Sequence, residues 1–179
     1  LMPALSRVRQ LAFRLTCGTN LSGIGKAMFV YANDYNNELP RAGGRNAVRG
    51  GPVNWNASDR ITAYMGTGGT PRATISSSFY LLVKYAEVTP KSFVCKSDTG
   101  TREWQISEEP SYISGMELID AWDFGATPYE HCSYAYHWPY GMFALSTSSE
   151  PSMAVAADRD SGPRNRKDSL LLHSVKWVR

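Results

Sequence analysis

The sequence predicts an α+β fold: a long N-terminal helix packed on a small antiparallel sheet, with elaborated loops between them. Three observations predict it. From Pro3 to about Tyr35 apolar residues recur at three- and four-residue steps, and the last third of the chain alternates its apolar residues in twos. The stretch between these regions is broken by glycine and proline. Helix first and strands later is the order of an α+β domain with segregated elements. At 179 residues, 42% hydrophobic and 20% charged, the chain can bury one real core and does not have the composition of a disordered protein.

In the leading segment Leu5, Val8, Ala12 and Leu15, then Leu21, Ile24, Met28, Tyr31 and Tyr35, are expected on one helical face. Gly18, Gly23 and Gly25 each weaken this helix by up to about 1 kcal/mol relative to alanine. Their concentration points either to close packing against another backbone or to a flexible point. Asn36, Asn37 and Pro40 supply the stop, so residues 1–37 form the helix and 38–179 the globular head. Residues 41–75 read as loop, with a short turn or strand at Ile61–Met65. A second helix is expected over Ser76–Tyr85, with Ser76–Ser78 as N-cap candidates. "KSFVCKSD" reads as a short strand or turn. "SYAYHW", "MAVAA" and "VKWV" are expected to be strands of one antiparallel sheet.

The net charge of +3, carried by scattered basic residues, does not argue for nucleic acid. No run of 18 apolar residues occurs. The sequence lacks GxSxG, HExxH and GxxxxGK motifs. His131 beside Cys132 invites a metal or nucleophile reading, yet no third ligand stands at a usual spacing. The expectation is therefore a protein that is not an enzyme. Ten tyrosines and five tryptophans, dense around "AWDFGATPYEHCSYAYHWPYGMF", either fill the core or form a binding face for protein or glycan. Three cysteines permit one disulfide and a leftover thiol, or three buried small hydrophobes. Cys95–Cys132 is the more natural pair, because Cys17 lies on the leading helix.

An ordered set of motifs carries a resemblance: "LMPALSRVR" (Leu1–Arg9), Cys17, Asn20-Leu21, "YANDYNNELP" (Tyr31–Pro40), "FVCKSD" (Phe93–Asp98), "CSYAYHWPYG" (Cys132–Gly141) and "MAVAADRD" (Met153–Asp160). Together they resemble the prepilin-like, pseudopilin-related proteins of the planctomycete type, over most of the chain. Lys96 stands where that family has proline. Leu172-His173-Ser174 replaces its Asp-Gly turn, and its Asn-His-Gly-Gly-type loop is missing.

The resemblance implies a type IV pilin-like fold and a structural subunit of a type IV pilus-like or type II secretion filament. It implies that Leu1 continues an apolar signal-anchor segment. It also implies an inner-membrane-anchored precursor that becomes a periplasmic or extracellular filament. The partners would be copies of the chain, other pilin-like subunits and secretion-system proteins, with no nucleic acid. Leu5, Val8, Ala12 and Leu15 would face the polymer; the opposite assignment packs them on the chain's own sheet. Arg7, Arg9 and Arg14 would sit at a membrane–water boundary or pair with acids in a filament core. Related pseudopilins also carry calcium in a C-terminal loop, for which Asp158, Asp160 and Asp168, with Asn165, would be the ligands. Arg159, Arg164, Arg166 and Lys167 oppose a divalent cation there, and a solvated charged loop is the stronger reading. The rival to the filament reading is a membrane-anchored extracytoplasmic binding module that uses its aromatic-rich loops and does not polymerise; a metal-dependent enzyme ranks below both.

Overall fold

The structure is a computed structural model that describes residues 2–51, 53–65, 69–150 and 152–159. It is α+β. A 33-residue helix, α1 (Met2–Asp34), leads into a head with two more helices, α2 (Arg60–Tyr64) and α3 (Ile75–Ala86). The head also holds two short strand pairs. Strands β1 (Val48–Arg49) and β2 (Arg72–Ala73) are parallel, and β3 (Tyr134–Tyr136) and β4 (Ala156–Asp158) are antiparallel. In the second pair Tyr134 faces Asp158 and Tyr136 faces Ala156, so "SYAYHW" and "MAVAA" do supply an antiparallel sheet, of two strands among the described residues. "VKWV" lies outside the described residues.

The helix stop is where the asparagines put it. Asn36 (φ 54°) and Asn37 (φ 60°) take left-handed backbone, which short polar side chains tolerate, and Asn37 N–H closes on Ala32 C=O at 2.8 Å. Where a short turn or strand was expected at Ile61–Met65, the chain forms α2, with Met65 as its C-cap. Asp59 is its N-cap, with Oδ1 accepting from the Ile61 and Thr62 amides at 2.8 and 2.9 Å. The cap of α3 is Thr74 and not one of the three serines. Thr74 Oγ1 accepts from Ser77 N–H, and Ser77 Oγ accepts from Thr74 N–H, both at 3.0 Å. The "KSF" segment is a 3₁₀ turn, Pro90–Phe93.

With so little sheet, an aromatic cluster makes the core. Phe79 and Tyr80 of α3 meet Phe93, Trp104, Phe124 and Tyr136 at ring separations of 4.9–5.5 Å, and all six are fully buried. That settles the dense aromatic stretch largely in favour of core.

The cysteine pairing differs from expectation. Cys17 is bonded to Cys95, with Cα atoms 5.3 Å apart, and Cys132 is a buried free thiol that burial pushes up to about 12. The expected Cys95–Cys132 bridge is excluded by the pairing of the neighbouring backbone. Ser133, not Cys132, meets the 93–95 segment: its N–H donates to Phe93 C=O at 2.8 Å and its Oγ accepts from Cys95 N–H at 3.0 Å. Cys132 Sγ donates instead to Tyr134 C=O. The error lay in treating the leading helix as separate from the head, when its second half is part of the core.

The single apolar face expected for α1 is two faces. Cys17, Ile24, Met28 and Tyr31 are buried against the head, whereas Leu5, Val8, Leu11 and Leu15 lie on roughly the opposite side and are exposed. Nothing stands within 4 Å of where a Cβ would sit at Gly18, Gly23 or Gly25, so these glycines serve no close approach to the chain's own backbone.

Alkylation of unfolded, unreduced protein is expected to label Cys132 alone; label on Cys17 or Cys95 would refute the pairing. Cys17→Ser with Cys95→Ser should lower stability by about 4 kcal/mol, the chain-entropy value for a closed loop of this separation, 78 residues. Chemical denaturation measures it.

Candidate functional site

The proposed polymer-facing residues share one environment. Leu5, Val8 and Leu15 are 69%, 63% and 73% exposed, and Ala12 is exposed beside them. Among the described residues none packs over them. Leu11 and Phe29, exposed by 57% and 62%, extend the stripe and were missed by sequence reading. Counting in sevens would have found them: Val8, Leu11, Leu15, Gly18, Ser22, Gly25 and Phe29 fall at alternating a and d positions of one heptad register. No helix among the described residues is long and apolar enough to cross a membrane.

At the other end of α1 the head forms a pocket of about 520 Å³. Its wall is a tyrosine cluster. Tyr31 and Tyr35, one helical turn apart, stack at 4.1 Å, and Tyr85 of α3 leans on Tyr35 at 5.6 Å with a 52° tilt. Tyr64 and Trp122 close the far side edge to face at 5.7 Å. Trp122 is fixed by its indole N–H, which donates to Ala57 C=O at 2.9 Å, and by the Lys84 ammonium 3.8 Å from its ring centroid. Burial raises the phenol pKa of Tyr31, Tyr64 and Tyr85, so all three stay protonated at neutral pH.

The rim is cationic. Arg41 and Arg45 both pair with Glu38. Burial acts to raise the Glu38 pKa, but the guanidiniums outweigh it and hold the carboxyl below its ordinary range. Arg60 lies over Gly44, where a Cβ would come within 2.6 Å of its Nη2. Gly44 has φ +87°, a backbone conformation that favours glycine at this turn. Sequence reading had placed residues 41–75 in loop without marking this position.

Two polar clusters lie elsewhere. Asp123 is buried under the N-terminus of α3, accepting from Thr74 Oγ1 at 2.7 Å, Ser76 Oγ at 3.1 Å and Phe124 N–H at 2.9 Å. Serine hydroxyls beside a carboxylate suggest a nucleophile, but Ser76 and Asp123 are closed to solvent and, among the described residues, no histidine hydrogen-bonds to either. The group anchors α3. The second cluster uses Arg159, which sequence reading had as an opponent of calcium. It is buried, with Nη2 donating to Asp98 Oδ2 and to Thr101 Oγ1, and Nη1 donating to Tyr129 C=O, all at 2.9 Å. Of the proposed calcium ligands, Asp158 lies at the end of β4, and Asp160 and Asp168 lie outside the described residues. Among the described residues no group of three or more His, Cys, Asp or Glu side chains could hold a metal ion.

Burial lifts the Asp123 pKa to about 7, against its three donors. A folded-state pKa above the unfolded value of about 3.9 means that the folded protein binds the extra proton. The contribution is then favourable at low pH and is lost as pH rises toward 7. Asp123→Asn should therefore gain stability relative to wild type across pH 4–7 and hold a constant difference above that. Paired thermal melts measure it, and a difference that shrinks with rising pH would contradict the assignment.

No protein-family model, curated protein or solved structure matches this chain.

Proposed function

We propose that the chain is a pilin-like structural subunit whose α1 bundles with the α1 helices of neighbouring copies. The filament would be of the type IV pilus or type II secretion kind, built outside the cytoplasm from an inner-membrane-anchored precursor. The observation that carries this reading is the unpartnered heptad seam on the side of α1 facing away from the head. Val8, Leu11 and Leu15 supply apolar knobs, while Gly18, Ser22 and Gly25 would let a second backbone approach closely. Burial of this seam would return about 25 cal/mol per Å² of apolar surface. The Cys17–Cys95 bond supports an oxidising compartment. Pilin-like subunits place a projecting helix on a compact head in this way, and the motif resemblance points to the same family.

A second reading, an extracytoplasmic binding module that does not polymerise, is favoured by the tyrosine–arginine pocket.

In cells that make the protein naturally, immunogold negative stain is expected to find it in filaments. Val8→Asp with Leu15→Asp should abolish them while leaving the melting temperature of the purified protein within about 2 °C, since exposed side chains contribute little to stability. Filaments that persist in the double variant would exclude the seam. A head that no longer folds would show that these residues belong to the core.

A further inference from the structure

We propose that the pocket between α1, α2 and α3 binds an acidic saccharide, a pyranose ring bearing a carboxylate. This rests on the pocket alone and holds whether or not the chain polymerises.

Charge comes first. Three guanidiniums, of Arg41, Arg45 and Arg60, line the pocket with one carboxylate, Glu38, which Arg41 and Arg45 share. The carboxylate next to Arg60 in sequence is Asp59, and it is committed to α2. Its Oδ1 takes the Ile61 and Thr62 amides, and its Oδ2 takes Thr62 Oγ1 at 2.8 Å. Among the described residues no carboxylate neutralises Arg60. The pocket therefore carries net positive charge and presents an exposed, planar donor fork suited to a carboxylate.

Shape excludes the opposite choice of ligand. Aromatic clusters also bind ammonium groups, but Tyr31 and Tyr35 stack at 4.1 Å with a 7° interplanar angle and leave no gap between their faces. What remains open is the outer surface of Tyr35 and Tyr85, 38% and 42% exposed.

The lining then selects the body of the ligand. Flat aromatic faces alternate with neutral phenol hydroxyls, the Asn36 amide and guanidiniums, and only small aliphatic surface from Leu39, Ala42 and Leu81 is offered. A partner that fits must be apolar on its faces and polar around its edge. A sugar ring has that distribution of C–H faces and equatorial hydroxyls; an aliphatic peptide side chain does not. The volume falls within the range of about 300–1,000 Å³ usual for small-molecule sites. A disaccharide is an appropriate probe.

Isothermal titration of the purified chain with digalacturonate, and separately with neutral cellobiose, tests the proposal. Digalacturonate should bind saturably, more weakly at high salt, and cellobiose at least about tenfold more weakly, the loss expected for one charge-assisted contact. Arg60→Gln should reduce digalacturonate affinity by about 10- to 100-fold and leave cellobiose unchanged. Tyr85→Ala should weaken both sugars. Arg60 and Tyr85 are exposed, so melting temperatures are expected to stay at the wild-type value. If either variant fails to fold, the salt dependence and the cellobiose comparison on wild type decide the matter alone. The proposal is overturned by no saturable digalacturonate binding at millimolar concentration, by equal affinity for the two sugars, or by an unchanged affinity in folded Arg60→Gln protein. Tighter binding of an acetylated Asp-Tyr dipeptide than of digalacturonate overturns it in favour of an acidic peptide.

Discussion

Between Cys17 and Asn20, less than one turn of α1, the helix is fastened to the head, and the arrangement of the rest follows from that attachment. The disulfide holds Cys95. Three residues on, the Asn20 amide donates to Val94 C=O and to the Tyr134 hydroxyl, each at 3.2 Å. The gripped segment, 93–95, passes the constraint to Ser133 through two hydrogen bonds. Ser133 C=O in turn accepts from Arg159 N–H at 2.9 Å, at the end of β4. Arg159 then closes the circuit by pairing with Asp98, three residues beyond Cys95. A two-stranded sheet is marginal in isolation. This one is held at its Tyr134–Asp158 end, where Ser133 and Arg159 tie both strands to the stretch that the helix grips.

That attachment also divides α1. After Cys17 the helix buries Ile24, Met28 and Tyr31, and its apolar periodicity answers to the head. Before Cys17 the residues from Leu5 to Arg14 touch little of the chain, and periodicity there answers to nothing within it. Leaving four large aliphatic side chains in water forgoes roughly 1.5–3 kcal/mol each relative to burial. Such a stripe, running on one side of a helix with arginines beside it, is the kind of exposed apolar surface that marks an interaction site.

The long helix, its asparagine stop, the second helix and the two antiparallel strands were legible because each depends on local periodicity or local turn chemistry. What was not legible depends on contacts distant in sequence. Leu15 and Ile24, nine residues apart, are on opposite sides of α1, yet both continue a plausible three-and-four pattern, so periodicity alone merged two faces into one. The pairing of Cys17 with Cys95 could not be read because nothing local says that the helix returns to the head. Thr74 was passed over as a cap because three serines follow it, and what distinguishes it is the buried Asp123, 49 residues away. The pocket was invisible for the same reason. Its tyrosines come from α1, α2 and α3, and Arg60 of α2 meets the loop at Gly44, sixteen residues earlier in the chain.

The seam and the pocket do not compete for surface. Phe29 and Tyr31 are separated by two residues, which at about 100° per residue places them on opposite sides of α1. Phe29 is exposed along the seam, while Tyr31 is buried as part of the pocket wall. A neighbouring helix covering Phe29 would leave the mouth between Tyr35 and Tyr85 open, so a subunit packed through its seam could still present its cationic pocket outward. The two share the α1 backbone, and the Cys17–Cys95 bond lies between the projecting half and Tyr31. In such an assembly the helix would serve as the structural axis, and the loops around Gly44 and Arg60 would decide what the surface recognises.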